Sequence, residues 1–147
     1  MRHSRYIVIV GCGRLGAMMA NTLSKEGDSV VVIDEDIENF DGLSTEFSGF
    51  KLEGDATQQA VLKDAKLHKA DIFIATTHDD NINLMVAQVA KIIFKVPVVM
   101  ARVYDPKREE IYTQLGISTV CPTSIAAERL MQTIQGNVQP IIGETIL

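Results

Sequence analysis

Tryptophan is absent from these 147 residues, and three tyrosines and five phenylalanines make up the whole aromatic complement. A core so poor in rings must be filled by aliphatic side chains, and Val, Ile, Leu and Ala dominate the chain. That composition suits a buried parallel sheet covered by helices better than an antiparallel sandwich. Only two cysteines occur, Cys12 and Cys121, far apart and in no metal-ligand spacing. No disulfide framework is expected, and a reducing, cytoplasmic setting fits this usage. No set of His, Cys and carboxylates has metal-site spacing, so no metal is expected either. Basic runs are missing: 14 Lys and Arg stand against 19 Asp and Glu, for a net charge of −5. Nucleic acid therefore finds no electrostatic footprint. No apolar run approaches the ~18 residues of a membrane span. The opening MRHSR leads straight into an apolar run, which leaves no room for a signal peptide. Any membrane connection is expected to run through a partner.

What is present is a hydrophobic content of 46%, enough for one domain with a sizeable core. Periodicity predicts a strand over Ser4–Val10 and a helix over Arg14–Glu26, with Leu15, Met18, Met19, Thr22 and Leu23 as its apolar stripe and Gly27 as its stop. Strands follow at Ser29–Ile33, Phe50–Glu53, Asp71–Thr76, Pro97–Arg102 and Thr119–Cys121. Between them come a weak helix over Ile37–Glu46, a short one over Gln58–Ala65, and the longest over Asn81–Phe94, with Ile82, Val86, Val89 and Ile93 along one side. A further helix starts at Asp105-Pro106 and ends at Gly116, and the last covers Ser124–Gln135. This alternation implies right-handed crossovers and an α/β fold: a Rossmann-like, doubly wound, six-stranded parallel sheet of order 3-2-1-4-5-6. Residues 1–137 form the expected domain, and 138–147 a tail without periodicity.

The first strand runs into G-x-G-x-x-G at Gly11, Gly13 and Gly16. Three glycines alone are a weak signal. Here they follow a buried strand, open a helix, and precede an acidic residue, Asp34, 18 positions after Gly16. Gly11 permits the tight turn, Gly13 lets a phosphate approach the backbone, and Gly16 lets helix and strand pack closely. The helix N-terminus offers unpaired N–H groups and a positive dipole end to an anion. A carboxylate at Asp34 accepts hydrogen bonds from both ribose hydroxyls and repels a 2′-phosphate, which favours NAD(H) or a plain adenine nucleotide; the lesser alternative is a cap for a helix starting near Asp36. Arg14 is either a phosphate contact at the helix mouth or a solvated surface cation. Gly54-Asp55-Ala56-Thr57 and Thr76-Thr77-His78-Asp79 follow the third and fourth strands, at the carboxyl edge where open α/β sheets bind ligands. Asp55, Thr57 and Asp79 also stand where helix caps belong. His78 reads as a loop histidine. A proton-transfer pair is missing: there is no G-x-S-x-G elbow, and Tyr104 and Lys107 straddle a helix start at Pro106. The chain has the parts to hold a nucleotide and none to transform it.

Taken together, I-V-I-V-G-C-G-R-L-G, V-V-V-I-D, G-D-A-T-Q, A-D-I-F-I-A-T-T-H-D-D-N-I-N-L, P-V-V-M-A-R-V-Y-D-P and L-G-I-S-T-V-C-P resemble a TrkA N-terminal domain, the nucleotide-binding module also called KTN or RCK. The resemblance covers about residues 5–135. It implies a cytoplasmic regulatory subunit or domain, peripheral at the inner face of the membrane through a membrane-embedded potassium transporter or channel subunit. It implies assembly into a homodimer or a higher ring, an octamer among them, and NAD+/NADH or ATP/ADP/AMP bound as a regulatory ligand. By motif, Gly11, Gly13, Arg14, Leu15 and Gly16 would surround the phosphates, and Asp34 would hold the adenosine ribose. Asp55 and Ala56, with Thr57 beside them, would flank the adenine. Thr76, Thr77 and Asp79 would line the rest, with Arg102 at the ligand edge. Many relatives carry an acidic residue after the proline that opens the last helix; Thr123 stands there, so the resemblance does not extend to an inter-subunit cation site. Most relatives continue into a C-terminal ligand domain that is not expected in this chain. The alternatives are an NAD-dependent oxidoreductase with its substrate site at a subunit interface, and a nucleotide-free scaffold.

Overall fold

The computed structural model describes residues 2–137 and 139, so the tail expected at 138–147 lies outside the described residues except for Gln139. Six parallel strands, β1 (Tyr6–Val10), β2 (Ser29–Asp34), β3 (Phe50–Glu53), β4 (Ile72–Ala75), β5 (Val98–Arg102) and β6 (Ser118–Val120), form one sheet of order β3-β2-β1-β4-β5-β6. That is the expected order, with its reversal between β1 and β4. Strand β1 lies at the centre, where Val8 pairs with Val31 on one side and Phe73 on the other. Ile7, Val8 and Ile9 are wholly buried, because both sheet faces are covered.

Among the described residues there are five α-helices: α1 (Arg14–Lys25), α2 (Gln59–Asp64), α3 (Asp80–Gln88) and α4 (Glu109–Gln114) lie between strands, and α5 (Pro122–Ile134) follows β6. Helix α1 packs over Ile7, Ile9, Val30, Val32 and Ile74. Helices α2, α3 and α4 cover the opposite face, with Leu62, Val86 and Tyr112 against Val8, Ile33, Phe73 and Val99. Among the described residues no helix is long and apolar enough to cross a membrane.

Several elements differ from their sequence expectation, each for a local reason. The weak helix after β2 is a 3-10 turn confined to Ile37–Gly42, capped by the Asp36 carboxylate on the Glu38 N–H. Helix α1 buries Gly16, Ala17, Ala20 and Ser24, whereas Met18 is half exposed. Small residues let its axis lie close on the sheet, so the bulkier side chains flank the contact. Helix α3 starts at Asp80 and widens into a π-helical turn over Val89–Ile93. The extra residue in that turn brings Ala90 into the core and rotates Ile93 out to solvent. The segment opened by Asp105 begins as a 3-10 turn at Pro106–Arg108 before α4, and the last helix starts at Pro122.

At the sheet's N-terminal edge a buried carboxylate gathers two arginines. Buried Asp28, at the corner between α1 and β2, accepts from the Arg5 backbone N–H at 3.0 Å and from its guanidinium at 3.2 and 2.6 Å, and from Arg2 at 2.5 Å. The Arg5 and Arg2 hydrogen bonds hold its carboxyl well below the usual carboxylate range.

Candidate functional site

The glycine loop begins at Gly11, whose φ of +99° is a conformation that side-chain-bearing residues avoid. Its N–H donates to the Ile33 carbonyl at 2.8 Å, which ties the loop to the end of β2. Gly16 answers a different need. A Cβ there would lie 1.9 Å from the Gly11 carbonyl oxygen and 2.8 Å from Thr76 Oγ1, so only glycine lets α1 approach the strand. Gly13, the N-cap of α1, has ordinary φ and ψ (−78° and −164°), and a Cβ on it would meet nothing within 4 Å. The first glycine serves the turn, the third serves packing, and the second keeps open space at the positive end of a twelve-residue helix.

A cleft of about 450 Å³ opens at this point, along the carboxyl ends of β1, β2, β4 and β5. That volume falls within the usual range for a small-ligand site. Asp34 closes one side. Its Oδ2 accepts from the Cys12 N–H at 2.8 Å, and its Oδ1 from the Asp36 N–H at 2.9 Å and Asn39 Nδ2 at 3.1 Å. The helix cap expected as its alternative role belongs to Asp36 instead. Asp34 bridges the glycine loop to the turn after β2 and presents the same carboxylate to the cleft. Cys12 sits beneath it; burial, and then the Asp34 charge, push its thiol up to about 11.

Beside Asp34, just past the end of β3, the Asp55 carboxylate accepts from Thr57 Oγ1 at 2.7 Å and Thr57 N–H at 2.9 Å, which holds its pKa below the usual value. Asp79 caps α3 by accepting from the Asn81 and Ile82 N–H groups at 2.8 and 3.2 Å. The Thr76 hydroxyl lies 3.0 Å from both the Val10 and Gly11 carbonyl oxygens, stapling β4 to the loop. Fully buried Asn83 accepts from Thr77 N–H (2.9 Å) and hydroxyl (2.6 Å), and donates to the carbonyls of Thr77 (2.9 Å) and Arg102 (3.0 Å). It thereby fixes the ends of β4 and β5 to each other. The Arg102 guanidinium carbon lies 4.2 Å from the centroid of the Tyr104 ring.

Of the residues expected from sequence, Gly11, Gly13, Arg14, Asp34, Asp55, Ala56, Thr76, Thr77, Asp79 and Arg102 line this one cleft. Leu15, Gly16 and Thr57 do not. Leu15 is inside α1, Gly16 faces the Gly11 carbonyl, and Thr57 serves the Asp55 turn. Sequence reasoning missed Asn83 and Tyr104. Asn83 had one signal, an amide on the inner face of an amphipathic helix. Tyr104 had none, because its place follows from the path of the chain after β5.

The TrkA-N domain family model matches residues 7–123, from within β1 into α5. The Trk system potassium uptake protein TrkA of Streptomyces coelicolor is 39% identical over 129 residues, which covers 88% of this chain and 58% of that protein. The Trk system potassium uptake protein TrkA homolog of Pyrococcus abyssi is 33% identical over 135 residues, 88% of this chain and 60% of its own. The chain thus spans about three-fifths of the length of the curated relatives it matches. Among solved structures, the GsuK channel bound to NAD is similar with a TM-score of 0.77 at 22% identity, covering 91% of this chain and 24% of that one. The Shewanella denitrificans Kef CTD in AMP bound form has a TM-score of 0.74 at 23% identity, covering 90% and 82%. At these identities the two structures share the fold.

Proposed function

The chain belongs to the TrkA-N domain family, and from that premise we propose that it is the nucleotide-sensing regulatory domain of a potassium transport system. The carrying observation is the open space above Gly13 at the N-terminus of α1, in the same cleft as the Asp34 carboxylate. The helix end attracts a phosphate, and Asp34 selects a ribose with unmodified hydroxyls. NAD(H) or an adenine nucleotide fits both demands. The names of the relatives, potassium uptake proteins, support the transport role, and neighbours of the same fold bound to NAD and AMP support the ligand class. In this reading Gly11, Gly13 and Arg14 surround phosphate, Asp55 and Ala56 lie along the adenine, and residues 1–137 act as the sensing unit.

The domain is regulatory and not an enzyme. Its cleft carboxylates are engaged as caps and bridges for backbone N–H groups, which suits binding and leaves general-base chemistry unsupported. It acts at the inner face of the membrane through a membrane-embedded potassium transporter or channel subunit, as a homodimer or a larger ring. Two nucleotides that occupy the cleft differently stabilise different arrangements of that assembly. Only their difference in affinity shifts the equilibrium, with couplings of about 1–3 kcal/mol. Calorimetric titration with NAD+, NADH, ATP, ADP and AMP tests this reading. Binding with micromolar or better affinity is expected for at least one, with a loss of tenfold or more in Asp34→Ala. The absence of any binding, or an unchanged affinity in the variant, would sink it.

A further inference from the structure

Charge is divided between the two edges of the sheet. At the carboxyl ends of the strands, around the cleft, carboxylates predominate: Asp34, Asp55, Asp79, Asp80 and Asp105 all stand there. At the opposite edge, where the strands begin, the fold gathers cations that are scattered in sequence. Lys69 precedes β4, Lys95 precedes β5, and Lys63 and Lys66 stand at the end of α2 that leads into β4. The Asp71 N–H donates to the Tyr6 carbonyl at 2.8 Å, and the Val98 N–H to the Asp71 carbonyl at 3.3 Å. The starts of β1, β4 and β5 therefore form one row, roughly 10 Å across at the ordinary strand spacing.

The acids of this edge are mostly engaged. Glu26 and Asp28 are held by Arg2 and Arg5, and Asp71 accepts the Tyr6 N–H, which leaves Asp64 beside the lysines. Among the described residues every ion pair belongs to Arg2 or Arg5, so Lys63, Lys66, Lys69 and Lys95 are exposed cations without a carboxylate partner.

Two of these lysines also sit where the backbone disfavours a side chain. The residue after the C-cap is left-handed at Gly27 behind α1, Gly116 behind α4 and Gly136 behind α5, with φ of +97°, +74° and +76°. Lys66 behind α2 and Lys95 behind the π-helical turn hold the same position with φ of +55° and +56°. Among the described residues they are the two non-glycines with positive φ. Glycine adopts this conformation freely and is the usual residue there, whereas a lysine is strained. Its attraction to the negative helix end offsets part of that strain. Both exceptions fall within the row of cations, where charge is gained in return.

We propose that this edge is an electrostatic docking face for an anionic lipid surface, with Lys63, Lys66, Lys69 and Lys95 as its contacts. The proposal rests on the reading that places the domain at the inner face of the membrane. Ammonium groups on long flexible stems act as point charges, which suits a diffuse and laterally mobile layer of negative headgroups. The same layer repels the carboxylate-rich edge, so the domain lies with its cleft facing away from the membrane and open to solutes.

The test is cosedimentation of the full chain with vesicles of phosphatidylcholine, alone or mixed with phosphatidylglycerol, at about 25 mM and about 300 mM salt. At low salt the anionic vesicles are expected to bind at least about 10-fold more protein than the neutral ones, and high salt should abolish the preference. Lys66→Gly and Lys95→Gly each remove a charge while supplying the residue that the backbone favours. Both should melt no lower than wild type, and each should partition roughly fivefold less onto anionic vesicles. Lys107→Gln, which removes a charge from the opposite edge, should bind within about twofold of wild type. Equal binding to both vesicle types, or none to either, overturns the proposal. Undiminished binding by both glycine variants overturns it too, as does an equal loss in Lys107→Gln. Capture of polyglutamate in place of anionic vesicles assigns the face to an acidic protein segment and likewise overturns it. Nucleotide titration of the same protein is independent of these outcomes, so a failure here and a failure of the regulatory reading are told apart.

Discussion

Substituting the second and third glycines of the loop should separate ligand binding from folding. In Gly13→Ala the backbone needs no change, since φ −78° and ψ −164° suit any residue, and the new methyl group meets no protein atom. The cost is that of a poorer N-cap, about 0.5 kcal/mol, or 1–2 °C in Tm at roughly 2–4 °C per kcal/mol for a chain of this size. That methyl group fills the space through which a phosphate would reach the helix end. In Gly16→Ala the Cβ would stand 1.9 Å from a backbone oxygen and 2.8 Å from Thr76 Oγ1, both held in the strand–helix junction. Helix α1 must move off the sheet, at about 3 kcal/mol or more and a Tm drop of roughly 6–12 °C. Thermal melts with and without nucleotide at 100 times its Kd read both effects. Wild type should gain about 2.7 kcal/mol from ligand. Gly13→Ala, with affinity reduced 100-fold, should gain only about 0.4 kcal/mol from the same concentration. A Gly13→Ala protein that keeps the full ligand shift would refute phosphate approach at this backbone. A Gly16→Ala protein as stable as wild type would refute the close contact.

Asp28→Asn should cost about 2 kcal/mol at pH 7, because it breaks a buried carboxylate's bonds to Arg2 and Arg5. The native pKa is lowered, so this stabilisation is complete above the unfolded value near 3.9 and fades as pH falls below it. Urea unfolding should show the gap between wild type and variant narrowing by about 1 kcal/mol between pH 7 and pH 3; a pH-independent gap contradicts the assignment. The Cys12 thiol, buried and raised to about 11, should react with a disulfide reagent at pH 8 orders of magnitude more slowly in the folded protein than after denaturation. A Cys121→Ala background isolates that signal, and native-state labelling at the rate of a free thiol would exclude the buried position.

Much of the fold was legible because its causes are local or periodic. Buried parallel strands read as continuous apolar runs, and SVVVI and DIFIAT carry that signature without any neighbour being known. The roles of Gly11 and Gly16 follow from one turn and one contact. The buried face of α1 was misread, because hydrophobicity ranks Met18 above Ala17, whereas the close approach allowed at Gly16 admits only small residues. The π-helical turn after Gln88 escaped notice for a similar reason: a heptad-like stripe from Ile82 to Ile93 is the same text whether or not the helix widens.

The cleft divides in the same way. Composition, alternation and the spacing from Gly11 to Asp34 determine by themselves a doubly wound sheet with a glycine turn and a carboxylate at the end of the second strand, since each rests on residues near in sequence or on a repeating pattern. How the strand ends are tied to one another at the cleft depends on contacts 19 to 66 positions apart, such as Asn83 to Arg102 and Thr76 to Val10. Hydrogen-bond partners at such separations are set by strand order and register, and only the folded sheet brings Gly11, Thr76 and Arg102 into one row.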